Sequence, residues 1–303
     1  MGVYTDLIRE ARELHPDIAG VSETETAEGQ CRISRIAVET EEAARALDKP
    51  VGVYVTLESA ALIDGLEPDM EDTVKALTGE LSRLLPEKPA AKLLVVGLGN
   101  RNVTPDALGP RTADGVFVTR HIRAHLPEVA PEGMREVAVF QPGVLGTTGV
   151  ETVEIIRGLV DTVQPDALLC IDALAARRAE RIASSIQLNN SGIRPGSGIG
   201  NTRDGLTQHA LGIPVVAMGV PLVVYASTVV ADVVSALAER SDAEGAAALE
   251  PKIREIVNER YGPMIVTPKE IDTLLHRASA LLSDSINRAL HAAYYDEIDA
   301  LCN

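Results

Sequence analysis

Two carboxylates stand where hydrolytic chemistry would place them. Asp106 lies in the loop beyond one apolar run, Leu93–Val96, and Asp172 comes directly after a second, Ala167–Ile171. In an open parallel sheet the crevice at the carboxyl ends of the strands is the ordinary ligand site. Two acids delivered there cannot both ionise easily, so they share a proton. One then serves as a base toward water, the other as an acid toward a carbonyl or leaving group. Asp is also a favoured helix cap and turn residue, so each position is equally open to that plainer use.

Other chemistry-bearing residues carry weaker patterns. Gly97 and Gly99, in VVGLGN, follow a strand-like run, but a dinucleotide fingerprint needs a third glycine where Asn102 stands, and an acid after the next strand. Ser197 lies in PGSGIGN, where Pro195 and Ile199 occupy the positions at which a nucleophile elbow needs glycine. Cys170 falls inside an apolar run, and burial makes a thiol inert. His121 and His125 have the helical spacing of a metal pair, but Ile122 replaces the Glu of HExxH, so a solvated or packed pair explains them better. The loops at Gly97, Gly99 and Asn100 and at Gly196, Ser197 and Gly198 are candidates for amide cradles that hold a substrate or an oxyanion.

The elements that must position these residues are legible. Leu93–Val96, Ala167–Ile171 and Val215–Met218 lack alternation, as strands covered on both faces do. Helical spacing over Thr112–Leu126, Val150–Val163 and Ser227–Glu239 separates them, which predicts an α/β fold with a largely parallel or mixed central sheet flanked by helices. Additional strands, Cys31–Val38 and Val51–Leu57, surround the helix-like EEAARAL, and Met70–Leu85 reads as an amphipathic helix. Thr267, Pro268 and Glu270 predict a capping box opening a C-terminal helix with Ile271, Leu274, Leu275, Ala278, Leu281 and Leu282 on one face.

Composition narrows the partners. The 303 residues carry 28 Lys and Arg against 44 Asp and Glu, a net charge of −16, with 6 Tyr, 2 Phe and no Trp. That balance opposes a phosphate backbone, and there is little from which to build a stacking platform for bases. Ile213–Ala226, the most apolar run, is interrupted by Pro214, Gly219 and Pro221 and is shorter than the roughly 20 residues of a membrane helix. The N-terminus has no apolar signal-like region, and Cys31, Cys170 and Cys302 form no CxxC pair, which together predict a cytoplasmic protein with reduced thiols, no membrane and no direct nucleic-acid partner.

Several long blocks resemble the germination protease family of spore-forming bacteria: VVGLGN at 95–100, VTPDALGP at 103–110, QPGVLGTTGVET at 141–152, IDALAARR at 171–178, SGIRPGSGIGN at 191–201 and GIPVVAMGVPLVV at 212–224. The resemblance also takes in YVTLES at 54–59 and MIVTPKEID at 264–272 and covers nearly the whole chain. It implies an aspartic-type endopeptidase of the forespore or spore core that begins degradation of small acid-soluble spore proteins during germination. The family aspartates fall on Asp106 and Asp172. The resemblance further implies a fold related to the hydrogenase-maturation peptidases, a homotetramer, no cofactor, no metal, and a zymogen that cuts itself near the N-terminus. The matching stretch here is Tyr4 to Ile8, which places scission between Asp6 and Leu7. It divides the chain into a short pro-segment, 1–6, and a peptidase unit, 7–303, made of an N-terminal strand and helix portion (7–90), an α/β core (91–240) and a helical C-terminal portion (241–303).

Two rivals stay open on the sequence. A metal-dependent processing peptidase would use Asp106, Asp172 and a His such as His121 or His209. A nucleotide- or phosphate-binding regulator would use GLGN and GSGIGN as amide cradles, although the Lys of a P-loop is missing.

Overall fold

A computed structural model describes residues 5–88, 90–128, 130–194, 205–240, 255–257, 259–261 and 264–295. The chain runs through α1 (Ile8–Leu14), β1 (Val21–Glu28), β2 (Cys31–Val38), α2 (Glu41–Leu47), β3 (Gly52–Glu58), α3 (Ala61–Asp64), α4 (Glu67–Leu84) and β4 (Lys92–Leu98). It continues through a 3-10 turn (Thr104–Asp106), α5 (Leu108–Asp114), α6 (Arg120–His125), β5 (Glu136–Gly143), α7 (Leu145–Thr148), α8 (Thr152–Val163) and β6 (Ala167–Ala176). A second 3-10 turn (Ala179–Arg181), β7 (Ser185–Asn189), α9 (Gln208–Leu211), β8 (Val215–Tyr225), α10 (Ala226–Arg240), β9 (Ile265–Val266) and α11 (Ile271–His291) follow.

All the described strands join one mixed sheet in the order β1-β2-β3-β7-β8-β6-β4-β5, with β9 added to the end of β8. The pairs β4–β5, β4–β6 and β6–β8 are parallel, and the pairs from β1 to β8 through β2, β3 and β7 are antiparallel. The expected α/β sheet flanked by helices is therefore mixed, with a parallel half and an antiparallel half.

The apolar runs lack alternation because both faces are covered. Leu93, Val95, Leu169, Ile171, Val216 and Met218 enter one core with α4 and α11. Leu94, Val96, Leu168, Cys170, Val215 and Ala217 enter the opposite core with Val153, Ile156 and Val160 of α8. A third cluster seats Ile8 and Ala11 of α1 and Ala43, Ala44 and Leu47 of α2 on Ile36, Val38 and Tyr54.

Several expectations are corrected. Thr112–Leu126 is two helices, because α5 starts earlier and ends at Asp114 with Gly115 capping it. The predicted box at Thr267 does not form: its hydroxyl donates to the Leu222 carbonyl at 2.9 Å, and α11 starts at Ile271 with no side-chain cap. Gly219 and Pro221 do not interrupt β8, and Pro214 precedes it. Pro221 sits where the β6 register shifts between Leu174 and Ala175, and such an irregularity is where a strand tolerates a residue without an N–H. The Ala/Glu-rich stretch 241–250 lies outside the described residues, as does Cys302.

Candidate active site

The first acid is positioned by close backbone packing. At the end of β4, Gly99 has φ +107°, and a Cβ there would collide with the Asp106 carbonyl. A Cβ on Gly97 would strike the Gly109 carbonyl, and one on Gly109 would strike Leu98 and the Ile171 carbonyl. These glycines let the loop and α5 close directly over β4 and β6. The turn carrying Asp106 is thereby folded back on the loop, where its Oδ2 accepts the Asn100 N–H at 2.8 Å. Asp106 does not cap α5: its partner is upstream, and α5 has no side-chain cap.

The second acid is a strand residue. Asp172 lies inside β6 rather than after it, paired in register with Gly219 of β8. Its Oδ1 accepts the Ala173 N–H at 2.9 Å, and it is 9% exposed. Burial foremost, then the charges of Asp106 and Asp6, push its carboxyl well above the ordinary range. Burial also raises Asp106, against the lowering effect of the Asn100 N–H. Cys170 is buried and its thiol is driven further up, so it is core.

The third component is the N-terminal segment. Asp6 pairs with the far end of β6: its N–H donates to the Ala175 carbonyl at 2.9 Å, and its Oδ2 accepts the Ala175 N–H at 2.7 Å. Leu7 and Ile8 are buried. Glu10, fully buried, accepts the N–H groups of Arg177 and Arg178 at 2.7 and 2.9 Å, takes the Thr5 hydroxyl, and lies 3.7 Å from the Arg181 guanidinium. Lys49 donates to the Thr5 carbonyl at 2.8 Å, and burial holds its ammonium below the ordinary value despite Asp6, Asp48 and Glu10.

Gln187, on β7, joins these parts and was not foreseen from the sequence. Its side chain, 4% exposed, donates from Nε2 to the Asp6 carbonyl at 3.0 Å and accepts the Ile8 N–H at Oε1 at 2.7 Å. The available signal was a polar residue between Ile186 and Leu188 in a strand whose five residues are all buried, an unusual place for Gln.

Other candidates are scattered. His121 and His125 on α6 and His209 on α9 are exposed, and among the described residues no three His, Cys, Asp or Glu side chains come together as a metal site. The ligand set of the metal-dependent rival is therefore not assembled. Gly196, Ser197 and Gly198 lie outside the described residues. Among the described residues no helix is long and apolar enough to cross a membrane.

The mixed α/β sheet holds Asp172 where the Asp106 charge acts on it, two carboxylates in unlike environments, and acid–base hydrolases are a class of protein that uses such pairs. Comparison with known proteins gives the particular family. The germination protease family matches residues 3–244. The chain is 43% identical to the germination protease of Caldanaerobacter subterraneus subsp. tengcongensis, over 96% of this chain and 94% of that protein. It is 39% identical to that of Clostridium tetani, over 97% of each, and 35% identical to that of Bacillus subtilis, over 95% and 93%. The chain belongs to the germination protease family, peptidases of spore germination that act on proteins.

Proposed function

We propose that the chain is an aspartic-type endopeptidase that opens the degradation of small acid-soluble spore proteins in the spore core, working as a homotetramer on a fold akin to the hydrogenase-maturation peptidases. It is made as a zymogen whose pro-segment, residues 1–6, is removed by its own peptidase unit, 7–303. Within that unit, 91–240 carries the chemistry and 7–90 and 241–303 frame it. The observation that carries the mechanism is the unequal pair: Asp172, buried inside β6, feels both burial and the Asp106 charge, whereas Asp106 keeps a backbone N–H that favours its ionised form.

In that scheme Asp172 holds the shared proton and Asp106 is the base. Water gives a proton to Asp106 as its oxygen bonds to the Asp6 carbonyl carbon. The carbon–nitrogen bond then breaks while the Leu7 nitrogen takes the proton from Asp172. The proton on Asp106 passes back to Asp172, and the products are a carboxyl at Asp6 and an amine at Leu7. The loop at Gly97, Gly99 and Asn100 serves by seating Asp106. Support for scission at this bond comes from the N-terminal segment, which lies along β6 close enough for the Asp6 charge to act on Asp172.

Intact-mass measurement at mildly acidic pH tests the proposal. The parent chain loses residues 1–6, and Asp106→Asn does so at least about 100-fold more slowly, the scale of a lost general base. An unchanged parent mass would sink self-processing, and a fast Asp106→Asn would remove Asp106 from the chemistry.

A further inference from the structure

Every peptide hydrolysis develops negative charge on the carbonyl oxygen of the bond being cut, and a donor already aimed at that oxygen is among the larger contributions a site can make. The bond at issue is Asp6–Leu7, so this inference rests on the proposed self-scission. Around it, the Asp6 N–H is bound by the Ala175 carbonyl, and the Leu7 N–H donates to the Thr5 hydroxyl at 3.0 Å. Gln187 contacts both flanks: Nε2 lies 3.0 Å from the Asp6 carbonyl oxygen and Oε1 2.7 Å from the Ile8 nitrogen. The orientation of that amide is dictated. A backbone N–H can only donate, so the atom facing Ile8 must be the oxygen, and the NH2 group must face the Asp6 carbonyl.

The sheet places this donor one strand away from Asp172's partner. Gln187 on β7 and Asp172 on β6 both pair in register with Gly219, one from each side. Register partners share a face, so both side chains rise from the same side of the sheet with the side-chain-free Gly219 between them. A Cβ at Gly219 would collide with the Asp172 carbonyl and come within 2.8 Å of the Leu174 Cγ, so no larger residue fits between donor and acid.

We infer that Gln187 is a catalytic residue of this peptidase, its side-chain amide donating to the oxyanion that forms on the carbonyl of the scissile bond. The donor comes from an antiparallel strand, outside both acid-bearing segments. Because the amide is buried and held by Ile8, it needs no reorganisation when charge appears on the oxygen.

The test uses the full-length chain, followed by intact mass, and an isolated small acid-soluble spore protein as second substrate. Gln187→Glu retains an acceptor for the Ile8 N–H and so keeps α1 docked. Gln187→Met removes the donor at every pH. Both are expected to slow scission of the Asp6–Leu7 bond and to lower kcat on the spore protein by about 100-fold or more, with KM little moved, as loss of one oxyanion donor does. Thermal melting reports whether each variant is folded, and if Gln187→Met is not, Gln187→Glu decides. Folded variants that cut within a few-fold of the parent overturn the role of Gln187 and leave the acid pair standing. A parent that cuts at another bond, or an Asp172→Asn variant that cuts normally, overturns the underlying scheme instead.

Discussion

The two halves of the sheet divide the labour. In the parallel half, Asp172 lies inside β6 and Asp106 in the turn that follows β4. In the antiparallel half, β2 and β3 support α1 while β7 supplies Gln187, and together they hold the N-terminal segment against the last residues of β6. In the proposed scheme the parallel half supplies reactive groups, and the antiparallel half aligns the peptide. A central strand, β8, joins them, pairing β6 on one side and β7 on the other. One glycine of that strand, Gly219, sets acid and amide at a common level.

The division can be broken most severely at Asp172. Asp172→Asn is expected to lower the rate of scission and of spore-protein cleavage by about 1000-fold. It should also stabilise the fold at neutral pH. A carboxyl whose folded value is raised adds stability that is complete below the ordinary carboxylate range and is lost as pH rises through the folded value. Melting curves of parent and variant should therefore separate as pH rises, with the variant higher, and converge in acid. A variant less stable than its parent at neutral pH would contradict a protonated Asp172.

A smaller effect is expected from the docking of the peptide. Glu10→Ala removes the acceptor of two backbone N–H groups and the Thr5 hydroxyl in a closed setting, at a cost of about 3 kcal/mol. Self-scission should slow about tenfold while Asp106 and Asp172 keep their surroundings. Urea melts and intact mass measure the two effects. If scission is as fast as in the parent, α1 does not present the bond. The least effect is expected at Arg101, which donates from Nη2 to Asp114 and to Gln141, each at 2.7 Å, on the exposed side of the loop. Arg101→Ala should cost less than about 1 kcal/mol, as exposed ion pairs do, and leave kcat within about twofold. A large loss would mean that the loop needs this clamp to hold Asp106.

Legibility followed burial. The strands of the parallel half were readable because both of their faces are covered, so LLVV and ALLCI are unbroken apolar runs. β1 was not, because VSETETAE is exposed along nearly its whole length and draws its place from pairing with β2. β7 was missed because SIQLN is five residues long and its central polar residue, Gln187, is satisfied only by distant chain. The extent of β6 was underestimated at Asp172, since an acid inside a central strand runs against the apolar composition by which such strands are read.

By itself the sequence determined the apolar runs, the glycines that precede Asp106, the family and the layered α/β plan. These are local matters: an apolar run covered on both faces, a loop that must pass close to backbone, blocks of residues in order. Only the tertiary structure decided that Asp172 is embedded in β6, that the N-terminal segment pairs with Ala175, and that Gln187 reaches its carbonyl. Those contacts join residues separated by 169 and 181 positions, and no local preference encodes a hydrogen bond made across that distance. It exists because the sheet order brings β7, β8 and β6 side by side.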